Sequence, residues 1–118
     1  MRVLLLEDNE FRIKFFMEKV GFNNSLEVVD NATKAIELLK NTLFDCIFLD
    51  NDLGIGNGEG VDVAKFLHSS PDNLNNQSII IIHSWNKPAS EAMKINLPNA
   101  VLFPFNTNLF DTIVLTSM

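Results

Sequence analysis

Five short apolar runs recur along the chain, and most of them are apolar at consecutive positions. They occupy residues 3–6, 26–29, 46–49, 79–82 and 100–103. A strand with one solvated face alternates apolar and polar side chains, whereas a strand covered on both faces is apolar throughout. The runs therefore predict the strands of a parallel sheet that has helices on both faces.

Segments with helical periodicity lie between and after these runs. Their apolar residues are Phe11, Phe15, Phe16 and Val20; Ala32, Ala35, Ile36 and Leu39; Val63, Ala64 and Leu67; those of residues 89–95; and Leu109, Phe110, Ile113 and Val114. Asn9 is a candidate N-cap for the first helix, and Gly21 is a candidate stop. Because each parallel crossover needs a connecting helix, the alternation predicts one α/β domain of five strand–helix units.

Composition narrows the class of protein. A chain of 118 residues with 47% apolar residues is long enough for one domain with its own core. The net charge of −6, with no cluster of Lys and Arg, argues against direct binding to nucleic acid. The first apolar run is too short for a signal peptide or a membrane span, and the single cysteine, Cys46, lies within an apolar run. We therefore expect a cytoplasmic protein without a membrane segment.

Carboxylates follow two of the predicted strands. Glu7 and Asp8 come after the first strand, Asp50 ends the third, and Asp52 follows two positions later. Ligands of parallel α/β sheets bind at the carboxyl ends of strands, and crowded anions raise one another's pKa unless a cation neutralises them. Oxygen ligands of this kind suit Mg²⁺. These four residues, which we call the acidic pocket, are therefore candidate Mg²⁺ ligands, although each acid could instead be a solvated loop residue or a cap.

Two polar segments are predicted to be loops. Residues 54, 56, 58 and 60 are all glycine, but they lack the spacing and the lysine of a phosphate-binding Walker loop. We expect these glycines to let the chain fold over the acidic pocket. Residues 69–78 are rich in Asn and Ser and predict a mobile surface loop.

At these residues the chain resembles the receiver domain of two-component response regulators. The shared features are the acidic pair Glu7-Asp8, Asp50 at the end of strand three, Ser84 after strand four, and strand–helix units over essentially all 118 residues. The resemblance implies a flavodoxin-like fold with a five-stranded parallel sheet in the order 2-1-3-4-5. It also implies a single domain over residues 1–118 without an output domain, so that a signal would pass to a separate, unidentified partner protein.

The resemblance further implies a chemistry for the acidic pocket. Asp8 and Asp50 would hold Mg²⁺ with help from the backbone carbonyl of Asp52. Asp50 would accept a phosphoryl group from a histidine kinase or a phosphotransfer protein, in a signalling phosphorelay. Receivers normally carry a lysine before the proline at the end of strand five, whereas this chain has Phe103. That change removes a charge-assisted contact worth about 1.5–3 kcal/mol, and Lys87 is a candidate replacement.

A second resemblance points to a different use of the same residues. The stretches LDNDLG and HSWN, with Met93 after them, are similar to a receiver-like subgroup proposed to bind or process cyclic phosphates, although Asn51 replaces a common histidine. There, His83 would be a general acid or base, Ser84 and Asn86 would donate hydrogen bonds, and Asp50 with Asp52 would hold a metal.

The residues leave these functions open. His83 could also be a half-buried, hydrogen-bonded residue at a strand end, and Trp85 a packing residue. Three hypotheses remain at this stage: a phosphoacceptor receiver, a module that binds or hydrolyses a cyclic or nucleotide phosphate, and a degenerate receiver that docks a partner without phosphate chemistry.

Overall fold

Strands and helices alternate along the chain in the computed structural model, which describes residues 1–20, 24–70 and 73–109. The strands are β1 (Arg2–Leu6), β2 (Ser25–Val29), β3 (Cys46–Leu49), β4 (Ile79–Ile82) and β5 (Val101–Leu102). The helices are α1 (Glu10–Val20), α2 (Ala32–Asn41), α3 (Gly60–Ser69) and α4 (Lys87–Asn96). The fifth helix that the sequence predicts falls almost entirely on residues outside the described ranges.

The five strands form one parallel sheet in the order β2-β1-β3-β4-β5. β1 lies between β2 and β3, with Leu6 opposite both Val29 and Leu49. β3 in turn pairs with β4, where Leu49 lies opposite Ile82. The predicted flavodoxin-like order is confirmed, and the last residues of these four neighbouring strands are aligned at one edge of the sheet.

Both faces of the sheet are covered, which explains why the strands are apolar at consecutive positions. One face carries Leu4, Leu6, Ile47 and Leu49, packed against Ala35, Leu39, Val63 and Leu67. The opposite face carries Val3, Leu5, Cys46 and Phe48, packed against Phe16, Val20 and Phe105. Cys46 is buried and unpaired, and burial raises the pKa of its thiol to about 12, so it packs as a small apolar residue.

α1 buries a narrower stripe than its sequence predicts. Phe16 and Val20 are buried, but Phe11 is 66% exposed because it lies about 140° around the helix from Phe16. Asn9 is confirmed as the N-cap, since its Oδ1 accepts a hydrogen bond from the backbone N of Arg12 at 3.0 Å. The predicted stop at Gly21 lies outside the described residues.

The segment after α3 is more ordered than its composition suggests. Residues 71 and 72 lie outside the described ranges, but Asn75 is only 1% exposed. Its side chain accepts a hydrogen bond from Phe44 N at 2.7 Å and donates to the carbonyls of Leu39 and Thr42 at 3.0 and 2.8 Å. The prediction of a mobile surface loop is therefore wrong at Asn75, which fastens the loop to the connection between α2 and β3.

Within the described ranges, none of the helices combines the length and the apolar character that a membrane crossing needs.

Replacing Asn75 with Ala should lower the free energy of unfolding by about 2–4 kcal/mol, because it leaves one backbone N–H and two carbonyls without their partner in a buried position. Urea unfolding would measure the change. Gln77→Ala is the matched control, since it removes an exposed carboxamide from the same loop and should change stability by less than about 0.5 kcal/mol. Equal stabilities for the two variants would contradict an anchoring role for Asn75.

Candidate functional site

The sheet ladder continues one residue past the strand ends and brings three side chains together. The backbone N of Asp50 donates to the carbonyl of Leu6 at 3.1 Å, and that of His83 donates to the carbonyl of Leu49 at 3.0 Å. Glu7, directly after β1, is therefore the neighbour of Asp50, and Asp50 is the neighbour of His83. The sequence prediction that acids from separate strands meet at this edge holds for Glu7 and Asp50.

Glu7, Asp50 and His83 form a compact group, which we call the buried triad. One potential ligand atom from each lies within 4.8 Å of the others. Glu7 and His83 are fully buried, and Asp50 is 5% exposed. His83 Nε2 lies 2.9 Å from Glu7 Oε1, and the carboxyl groups of Glu7 and Asp50 lie side by side. These two acids can share a hydrogen bond when one of them is protonated.

Glu7 is bonded through both of its oxygens. Oε2 accepts hydrogen bonds from the backbone N of Asp8 and of Asn9, each at 3.1 Å, and Oε1 faces His83 and the guanidinium of Arg12. This carboxylate thus fixes the turn between β1 and α1. Asp8 differs from Glu7 because its side chain is exposed at the rim of the acidic pocket.

The triad's electrostatics follow from burial and crowding. Burial, and after it the negative charge of Glu7, raise the pKa of Asp50 to about 7. Burial also acts to raise the pKa of Glu7, but hydrogen bonds from His83 and from the backbone N of Asn9 help to hold that pKa below its usual value. Burial lowers the pKa of His83 despite Glu7. Near neutral pH, Glu7 is therefore the ionised acid, and Asp50 carries the shared proton for part of the time.

His83 serves the triad as a donor. A neutral ring that bonds to a carboxylate through Nε2 must carry its proton there, which leaves Nδ1 as a lone pair. Among the described residues Nδ1 has no hydrogen-bond partner, and the ring packs 5.3 Å from the ring of Phe16. The predicted hydrogen bond at this strand end is present, but the ring is fully buried instead of half-buried. General base catalysis would need that lone pair within reach of substrate or water.

A second set of hydrogen bonds joins the loops after β3 and β4. Asn86 Nδ2 donates to Asp52 Oδ1 and Oδ2 at 3.2 and 3.4 Å, and Asn86 Oδ1 caps α4 by accepting from Ala89 N at 3.1 Å. Ser84 Oγ accepts from the backbone N of Asn86 at 3.0 Å. The structure thus brings Asp52, Ser84 and Asn86 into one network. Among the described residues, the predicted metal ligands Asp8 and Asp52 both lie outside the buried triad.

Asn51, which stands where the cyclic-phosphate subgroup commonly has histidine, is 2% exposed. Its Oδ1 accepts from the backbone N of Val61 at 3.1 Å, and its Nδ2 donates to Asp52 Oδ1 at 3.1 Å. Asn51 therefore ties the start of α3 to the loop that carries Asp52.

The glycine-rich loop folds back on itself beside the pocket. Gly54, Gly56 and Gly58 all have positive φ, which other residues rarely adopt. A Cβ at position 60 would overlap the carbonyl oxygen of Asp50, so Gly60 is required by close approach to Asp50 itself. Gly60 thus allows the backbone at the start of α3 to lie directly against Asp50.

Arg12 is a site residue that sequence reasoning missed. Its Nη1 lies 3.7 Å from Glu7 Oε1, and its guanidinium carbon lies 5.3 Å from the ring centre of Trp85 and 5.1 Å from that of Phe105. The sequence feature that could have identified Arg12 is its position in the first turn of the predicted helix that follows Glu7 and Asp8. Lys87, the candidate that the sequence offered, is exposed and forms no ion pair among the described residues.

The family comparison points to one class of protein. Residues 2–99 match the family model described as "Cyclic-phosphate processing Receiver domain". Curated relatives from two strains of Vibrio vulnificus, both named autoinducer 2 sensor kinase/phosphatase LuxQ, are 43% identical over 56 residues. That alignment covers 45% of this chain and 6% of each relative, so the chain spans only a small part of their length.

Solved structures share the fold at lower identity. The CheY-like receiver domain from Methanospirillum hungatei is 18% identical, with a TM-score of 0.69 over 95% of this chain and 89% of that one. A receiver domain of a putative Luxo repressor protein from Vibrio parahaemolyticus is 22% identical, with a TM-score of 0.72 over 96% and 85%. The receiver domain of a sensor histidine kinase from Pseudomonas aeruginosa, which holds a magnesium ion in its active-site cleft, is 18% identical, with a TM-score of 0.71 over 95% and 92%.

In metal-free protein, Asp50 should make stability fall as the pH rises from about 4 to about 7. Its pKa is raised to about 7 in the folded state, so the folded chain keeps a proton that the unfolded chain releases in this window. We expect the free energy of unfolding of the natural protein, relative to Asp50→Asn, to fall by about 2–4 kcal/mol between about pH 4 and about pH 8.

Urea unfolding at a series of pH values, in the presence of a chelator, measures this difference. Comparison with Asp50→Asn isolates the effect from those of Glu7, Asp8 and His83, which titrate in both proteins. Glu18→Gln, which removes an exposed carboxylate from α1, is the control and should track the natural protein. Parallel pH curves for the natural protein and Asp50→Asn would show that Asp50 has no raised pKa.

Proposed function

The chain belongs to the family of cyclic-phosphate processing receiver domains, and we propose that it acts as a signalling receiver that binds Mg²⁺ and accepts a phosphoryl group on Asp50. The observation that carries this proposal is the position of Asp50. It directly follows the central strand β3, next to Glu7, and its pKa is raised by burial and by the negative charge of Glu7.

The residues at this edge fit a small, hard cation. Asp8 is largely exposed, and the partial burial of its carboxyl group, together with the charge of Glu7, raises its pKa. Asp8 and Asp50 would hold the ion with the backbone carbonyl of Asp52, and Glu7 would position them through its backbone contacts. When bound, Mg²⁺ supplies the positive charge that ionises Asp50 and offsets the phosphoryl oxygens.

Three residues of the chain have separate roles in the proposed phosphoryl transfer. The backbone N of Asn51 donates a hydrogen bond to Asp50 Oδ1 at 2.8 Å. We therefore assign the attack on phosphorus to the other carboxylate oxygen of Asp50. A bond forms between this oxygen and phosphorus, and the bond from phosphorus to the donor's leaving group breaks. Ser84, held by its contact with Asn86 N, can donate its hydroxyl proton to a phosphoryl oxygen.

A histidine kinase or a phosphotransfer protein in the cytoplasm would be the donor. The curated relatives support this proposal, because both are named as sensor kinase/phosphatases. The magnesium ion in the Pseudomonas receiver supports the choice of metal.

Incubation with Mg²⁺ and a small phosphodonor, followed by intact-mass measurement, tests the proposal. We expect the natural protein to gain the mass of one phosphoryl group, and expect no gain in Asp50→Asn or in the presence of a chelator. Asp45→Asn is the matched control, because Asp45 is an exposed aspartate next to the opposite end of β3, and this variant should be modified normally. No gain by the natural protein at saturating donor would overturn the assignment of Asp50 as the acceptor.

A second candidate function is the binding or hydrolysis of a cyclic phosphate, which the family's description favours. The network of Asp52, Ser84 and Asn86 lies at the same edge and offers hydrogen bonds to a phosphodiester. In this reaction water adds to phosphorus, one ring P–O bond breaks, and a phosphate monoester leaves. His83 could act as the base only after its ring turns toward the substrate, because Nδ1 is buried.

Incubation with a panel of cyclic nucleotides tests this candidate, with chromatography to detect the monoester. If the candidate is correct, His83→Gln and Asn86→Ala should each lower the rate by about 100-fold or more. Unchanged hydrolysis in His83→Gln would remove His83 as the base, and no hydrolysis or binding by the natural protein would overturn the candidate.

A further inference from the structure

We propose that Arg12 is the cationic residue that contacts the phosphate group in this pocket, held in place by Trp85 and Phe105. This proposal rests on the proposed function in one respect, namely that the ligand carries a phosphate or phosphoryl group. It adds the residue that binds this group and the surface that orients it.

The position of Arg12 puts its charge at the mouth of the pocket. It lies in the first turn of α1, which begins three residues after Glu7. Its side chain is 20% exposed, while Glu7 beneath it is fully buried. The guanidinium therefore faces both the acids below and the solvent from which a ligand arrives.

Two aromatic rings hold the guanidinium there, and we call Trp85 and Phe105 the aromatic clamp. Trp85 Nε1 donates to the carbonyl of Phe105 at 2.6 Å, and Phe105 N donates to the carbonyl of His83 at 2.9 Å. The clamp is thus fastened to the strand end that carries the buried triad. Rings that cover the faces of a guanidinium leave its N–H groups, which lie in its plane, available for an anion.

The present contact between Arg12 and Glu7 is easily exchanged. At 3.7 Å, Nη1 is beyond the usual N–H···O distance, so the ion pair lacks a good hydrogen bond. Among the described residues no hydrogen bond involves the guanidinium. A phosphate oxygen that approaches the pocket can therefore accept hydrogen bonds from the guanidinium without displacing a strong existing bond. The planar guanidinium can also donate to two phosphate oxygens at once.

Charge balance favours a source of positive charge in addition to Mg²⁺. A phosphate dianion would enter beside Glu7, Asp8 and Asp50, where it meets negative charge. The residue before Pro104 is Phe103, which is half-buried against the core, and within the described ranges Arg12 is the only Lys or Arg paired with an acid of this pocket. Arg12 thus provides the positive charge on the side of α1.

Calorimetric titration of the Mg²⁺-loaded protein with inorganic phosphate tests the proposal. Trp85 is the only tryptophan in the chain, so its fluorescence reports on the clamp during the same titration. Arg12→Gln should weaken phosphate binding by about ten- to a hundredfold and should abolish the change in Trp85 emission. Arg12→Lys, which keeps the charge but loses the planar fork, should weaken it by a smaller factor.

Lys14→Gln is the matched control, because it removes one positive charge from an exposed position on the same helix and should leave binding within about twofold. Thermal denaturation establishes which variants are folded. If Arg12→Gln does not fold, a folded Arg12→Lys decides the test, and an affinity equal to that of the natural protein would then overturn the role of Arg12.

The outcomes separate this inference from the proposed function. Phosphate binding that is equal in the natural protein and in a folded Arg12→Gln overturns the role of Arg12 and leaves Asp50 as acceptor. Phosphate binding that depends on Arg12, without any gain of mass on Asp50, supports Arg12 and overturns the phosphoacceptor. No phosphate binding by the natural protein at saturating Mg²⁺ overturns the role of Arg12.

Discussion

The buried carboxylate of Glu7 is the group on which the rest of this edge depends. It accepts hydrogen bonds from His83 and from two backbone N–H groups in the turn between β1 and α1, and it faces Arg12. Without it, a buried imidazole N–H and the turn after β1 would both lose their acceptor, and buried donors without partners are costly. Glu7 therefore organises the pocket from below, whereas Asp8 and Asp50 remain the acids suited to contact a ligand.

The pocket places more negative than positive charge in a partly buried space. Together with burial, which is the larger cause, this imbalance raises the pKa of Asp50, and it fits the pocket to a divalent cation. At the end of β5 the apolar Phe103 packs on the core and offers no positive charge. The cation that faces the pocket is Arg12 of α1. A guanidinium that contacts aromatic rings is oriented more tightly than a lysine on a flexible stem.

Sequence periodicity predicted β3 and β4 to the residue and the other strands within one or two, because strands covered on both faces leave an uninterrupted apolar signal. It also predicted that Glu7 and Asp50 meet, since parallel strands end at one edge. It failed at Asn75, where polar composition suggested a solvated loop, and at Phe11, where an apolar residue lies off the buried stripe. Both failures concern burial, which depends on what another part of the chain covers.

The sequence alone determined the order of elements, the parallel sheet and the edge at which the acids gather, because these follow from local patterns and from the geometry of parallel crossovers. Only the tertiary structure decided which acid is buried, which is exposed, and which cation serves them. Glu7 and His83 are 76 residues apart in the chain and 2.9 Å apart in space. Arg12, near the start of the chain, contacts the rings of Trp85 and Phe105, which come much later in the sequence. Partner choice of this kind depends on distances that no local pattern encodes.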